Sequence, residues 1–105
     1  MLTMETLRSA ARRLTASAAR PARVILFGSY VRGDADADAA SDVDLMVVEA
    51  AFDDKASEYP RLKEAIGRLG VLLCTESEFQ RRSQVPDTVP YWARKEGKVL
   101  HDAAA

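Results

Sequence analysis

The chain is short of the residues that staple, ligate or anchor a fold. One cysteine, Cys74, among 105 residues excludes an internal disulfide and a cysteine-based zinc site. A reducing cytoplasm is the expected setting. His101 is the lone histidine, and without a second titratable partner a structural role is the simpler reading. Aromatics make up 7%; the adjacent Tyr91 and Trp92 read either as core or as a partner-facing patch. No apolar run approaches the roughly 20 residues that cross a bilayer. No charge sign dominates, with Lys+Arg 15 against Asp+Glu 16 and a net charge of -1, so a general electrostatic grip on nucleic acid is not implied. There is no internal repeat.

What is present suffices for one modest core: 48% hydrophobic residues in 11.5 kDa predict a single domain over residues 1–105. The opening "MLTMETLRSAARRLTASAAR" is Arg-rich and nearly acid-free, superficially like a transit peptide, but Leu7, Ala11, Leu14 and Ala18 recur at helical spacing and predict a first helix. "RVILF" reads as a buried strand ended by Gly28, and "SYVRGD" as a short helix with Ser29 as N-cap. Residues 34–41 lack apolar periodicity and read as a loop.

"DVDLMVVE" predicts a second strand, with Val43, Leu45 and Val47 on one face and Asp42, Asp44, Met46 and Val48 on the other. A helix follows, carrying Leu62, Ala65, Ile66 and Leu69, with Asp54 or Ser57 near its cap, Pro60 in its first turn and Gly70 as its stop. "VLLCT" predicts a third strand with Cys74 in the core. "ESEFQRR" reads as helical, "TVPYWARKEG" as a helix closed by Gly97, and "KVLHD" as an edge strand. The order gives an α/β or α+β domain, a small mixed sheet flanked by helices.

Chemistry concentrates between Gly28 and Leu45, "GSYVRGDADADAASDVDL". Two carboxylates separated by one strand residue have Cα atoms about 6.6–6.8 Å apart and share a side, so Asp42 and Asp44 can converge on one hard cation. Mg²⁺ takes such oxygen ligands and completes its shell with substrate phosphates and water. Gly28 permits close backbone approach, and the Ser29 hydroxyl with the N–H groups that follow can hold phosphate oxygens. Arg32 reads as a phosphate contact or as a partner for the nearby aspartates. "DADAD" at 34–38 matches the first ligand positions of an EF-hand loop, but Ala39 stands where glycine is needed and Leu45 where the bidentate glutamate belongs, so a solvated loop is the better reading.

Phe27-Gly28-Ser29, a twelve-residue interval, then Asp42-Val43-Asp44-Leu45 resembles the signature of the DNA polymerase beta-type nucleotidyltransferase superfamily. "GSYVRG", "SDVDL" and the closing "YWARKEGKVLHD" are similar to its minimal members, small stand-alone nucleotidyltransferases often paired with a HEPN partner in toxin–antitoxin systems.

The resemblance implies the nucleotidyltransferase fold and Mg²⁺-dependent transfer of a nucleoside monophosphate from a triphosphate, ATP foremost, to a protein or RNA acceptor. It makes Asp42 and Asp44 catalytic metal ligands and gives Gly28 and Ser29 to the nucleotide, with Arg32 the further candidate for nucleotide binding. It further implies a cytoplasmic antitoxin with a HEPN-type partner, and leaves self-association into a homo-oligomer open. Active relatives carry a third carboxylate on the next core strand, where this sequence has Gly70; Glu76 and Glu78 come only after that strand. An inactive member that masks its partner by contact is therefore the alternative expectation.

Overall fold

The computed structural model describes residues 3–28 and 43–104. Within them the elements run α1 (Met4–Ser17), β1 (Pro21–Phe27), β2 (Asp44–Glu49), α2 (Lys55–Ile66), β3 (Gly70–Thr75), α3 (Glu76–Arg82), α4 (Val89–Glu96) and β4 (Lys98–Asp102). The sheet order is β3-β2-β1-β4. β1 is antiparallel to both β2 and β4, whereas β2 and β3 are parallel, as a crossover through α2 requires. The predicted mixed sheet with flanking helices is the observed architecture.

Local chemistry explains the helix starts. Thr3, Asp54, Thr75 and Thr88 are the N-caps, their side chains accepting from the amides of Thr6, Ala56, Glu78 and Tyr91; each supplies an acceptor to an otherwise orphaned first-turn N–H. Pro21 opens β1, the strand position where a missing donor costs least.

Strand alternation builds two cores on the two faces of one sheet. Val24, Leu26, Val43, Leu45, Val47, Val71 and Leu73 pack with Leu7, Leu14, Leu62 and Ile66 beneath α1 and α2. Ile25, Phe27, Met46, Val48 and Cys74 pack with Phe79 of α3 and Ala93 of α4. Burying a leucine such as Leu26, fully enclosed here, contributes about 1.5–3 kcal/mol. The Cys74 thiol is pushed up to about 11, first by burial and then by the negative charge of Glu78, so it stays protonated and unreactive in the fold.

Two expectations about α2 need correction. Pro60 lies in the second turn, inside the helix. The stop is Gly67, whose φ of 66° and N–H bond to Lys63 O close the last turn; Gly70 is instead the first residue of β3. A left-handed C-cap selects glycine, and the nearer of two glycines took that role. The "SYVRGD" helix and the 34–41 loop lie outside the described residues.

Candidate functional site

Three strand ends meet at one place. In the antiparallel β1–β2 ladder Phe27 is the partner of Asp44, and in the parallel β2–β3 ladder Asp44 is the partner of Gly70. Gly28 directly follows Phe27 and has φ 101°, a conformation that any Cβ strains. The chain therefore leaves β1 beside the half-buried Asp44 through a turn that only glycine enters cheaply. Gly28→Ala is expected to destabilise the fold by about 1–2 kcal/mol, measured as a shift in the urea midpoint.

Alternation puts Asp44 on the sheet face that also carries Met46 and Val48, at the end of that second core. Its carboxylate lies over the bare Cα of Gly70: a Cβ there would overlap Asp44 Oδ1 and crowd the Val43 carbonyl. Gly70 also donates its N–H to Val43 O at 3.1 Å. No positive φ accompanies Gly70, so space rather than backbone conformation selects glycine. A carboxylate beside a glycine turn offers oxygen donors of the kind a hard divalent cation takes.

Among the sequence-predicted site residues, Gly28 and Asp44 are brought together. Ser29, Arg32 and Asp42 lie outside the described residues. Glu76 and Glu78 do not join the cluster. They stand past the far end of β3, about 20 Å along the strand direction from Gly70 at about 3.3 Å per residue, and are engaged elsewhere. Glu76 pairs with Arg23, whose guanidinium also stacks on Phe79 at 4.6 Å, and Glu78 pairs with Arg82 at 3.7 Å. Among the described residues no three His, Cys, Asp or Glu side chains gather as a metal site. Trp92 is exposed and meets Tyr91 edge-on, centroids 5.1 Å apart, so this pair is a surface feature.

A cavity of about 960 Å³ opens at the Arg23 end of β1, lined by Arg23, Glu76, Phe79, Arg94 and Asp102 among others. It lies on the same face but at the opposite strand end from Asp44. Arg23 there is paired with Glu76, and Arg94 donates Nε–H to the Ser83 carbonyl at 3.3 Å.

One polar feature escaped the sequence. Glu49 at the end of β2 and Glu58 in α2 are both buried, their carboxyl groups close enough to interact. Glu49 Oε1 accepts from Arg20 N at 2.9 Å and Glu58 Oε2 from Ala19 N at 3.0 Å, pinning the α1–β1 corner. Burial, then the interaction with Glu58, pushes Glu49 up to about 7. In Glu58 burial is outweighed by the interactions with Glu49, Ala19 N–H and Arg61, and the carboxyl is held below its ordinary value. The weak cue was an acid terminating an otherwise apolar strand.

Residues 4–93 match the family model described as "Nucleotidyltransferase domain". The chain belongs to this nucleotidyltransferase family. Among solved structures it is similar to a chain from a mutant of the toxin–antitoxin complex MntA–HpeT, with 21% identity, TM-score 0.58, and coverage of 97% of this chain and 74% of that one. It is also similar to a candidate nucleotidyltransferase from Sulfolobus solfataricus, with 26% identity, TM-score 0.57, and coverage of 90% and 84%. No curated protein matches significantly.

Proposed function

We propose that this nucleotidyltransferase-family chain, acting as one domain over residues 1–105, binds a nucleoside triphosphate with Mg²⁺ and transfers the nucleoside monophosphate to a protein or RNA acceptor. The carrying observation is the convergence of the Gly28 turn, Asp44 and Gly70, whose missing Cβ makes room for the Asp44 carboxylate, on three adjoining strand ends. Asp42 and Asp44 would hold the divalent cation, which supplies charge neutralisation for the triphosphate and the leaving pyrophosphate. Gly28 and Ser29 would bind phosphate oxygens through backbone N–H groups and the hydroxyl, and Arg32 would add a cation to the same phosphates. The acceptor hydroxyl attacks the α-phosphorus as pyrophosphate leaves.

The likeness to a toxin–antitoxin chain supports an antitoxin role in the cytoplasm, opposite a HEPN-type toxin. A second reading rests on Gly70: with no third acid beside Asp44 among the described residues, the chain would neutralise its partner by contact alone.

Labelled ATP, Mg²⁺ and the product of the neighbouring gene separate the two. Label transfer to that product, reduced at least a hundredfold in Asp44→Asn, is the expected result. Neutralisation that persists in Asp44→Asn without any transfer by the wild-type chain establishes contact masking instead.

A further inference from the structure

β3 is an outer strand of the sheet, and among the described residues nothing bonds its outer edge. Because Gly70 directs its N–H to β2, alternation turns the amides and carbonyls of Val71 and Leu73 outward. This edge floors a groove of about 320 Å³ between α2 on one side and the start of α4 on the other. Tyr59, Leu72 and Val89 are exposed along it at 37%, 36% and 42%. The charged side chains lining it are both cations, Lys55 and the 45%-exposed Arg82, whose 3.7 Å contact with Glu78 engages one guanidinium nitrogen.

A long, apolar, unprotected edge is a template for another strand, and proteins commonly blunt such edges. Here the edge is recessed and flanked by side chains of alternating reach, the form used in strand-addition recognition. A second copy is a poor occupant, because edge-to-edge pairing would bring both copies' Lys55 and Arg82 to one seam. A negatively charged occupant instead offsets them, and the apolar walls and outward backbone groups fit polypeptide better than a phosphate backbone.

We propose that the β3 edge is a docking groove for an extended segment of a partner protein, apolar at alternate positions and flanked by acidic residues. The segment adds a fifth strand beside β3, its backbone pairing with Val71 and Leu73, its apolar side chains over Leu72 and Val89, and its acids against Lys55 and Arg82. Docking there requires neither nucleotide nor cation, so it stands or falls separately from the proposed transfer reaction.

Fluorescence anisotropy with a labelled decapeptide of alternating valine and threonine, carrying two glutamates at each end, tests this against the same peptide with lysines. The glutamate peptide should bind at least tenfold more tightly to the full chain. The preference should invert in the Lys55→Glu, Arg82→Glu double variant, and Leu72→Lys should weaken both peptides at least tenfold. Equal affinity for the two peptides, no binding, or an unchanged preference in the charge-reversed variant would overturn the proposal. So would tighter binding of a single-stranded RNA of equal charge, or a dimer of the free chain in sedimentation that Leu72→Lys abolishes.

Discussion

Raising the pH from 4.5 to 8 should remove about 3 kcal/mol of folding stability from the wild-type chain, and Glu49→Gln should abolish most of that loss. Glu49 is fully buried, and its Oε2 meets no donor; its carboxyl lies against that of Glu58. Two carboxyls bond only through a proton. The folded-state value is raised from 4.5 to about 7, so the unfolded chain releases this proton first as pH rises. The stabilisation is therefore complete below about 4.5 and is lost as pH climbs through about 7. Glu58 works in the opposite sense: its lowered value makes its contribution present above the unfolded value and lost on acidification.

The groups facing the pair are the Ala19 and Arg20 amides from the α1–β1 link and Arg61 from α2, whose guanidinium binds Glu58. One cation beside two buried carboxylates does not compensate the second charge. A glutamine at 49 keeps an acceptor for Arg20 N and supplies a permanent donor to Glu58. Urea denaturation at stepped pH reads the effect; a parallel pH slope in wild type and Glu49→Gln would show that the pair carries no shared proton.

Gly70→Ala should weaken divalent-cation binding at least tenfold while leaving the fold largely intact. The added Cβ overlaps Asp44 Oδ1, which can swing away, and presses on the Val43 carbonyl, which is backbone and gives only a little. The displaced group is thus the carboxylate of the candidate site. Gly70→Asp meets the same overlap, so restoring the acid of active relatives should not restore their cation site. Calorimetric titration of Mn²⁺ or Mg²⁺ in the presence of a non-hydrolysable ATP analogue, with circular dichroism as the check on folding, measures both. Wild-type cation affinity in Gly70→Ala would remove Asp44 from the cation's ligand set.

These two expectations differ in how far the sequence foreshadowed them. The alternation of Val43, Leu45 and Val47 against Met46 and Val48 marked β2 and placed Asp44 on a definite face, because strand periodicity is a local property. The first helix and the Gly97 stop were legible for the same reason, and the cap of α2 was narrowed to Asp54 or Ser57, of which Asp54 is the one. Gly28 and Asp44 were legible as a pair through their interval. The choice between Gly67 and Gly70 as helix stop was not, since both suit a C-cap and only the strand pairing with β2 claims the second. The Glu49–Glu58 contact was illegible, because it depends on how α2 folds back over the end of β2 and no local rule brings those positions together. The β3 edge was equally hidden: "VLLC" reads as buried, and only the strand order reveals that Leu72 faces out.

Cys74 offers a use of its own. Being the sole thiol, enclosed in the second core and held protonated, it is a built-in clock for opening of that layer. A chromogenic disulfide reagent added in excess would stay silent on the native protein and react at the rate at which β3 parts from α3. That gives opening rates for wild type and every variant above without attaching any probe.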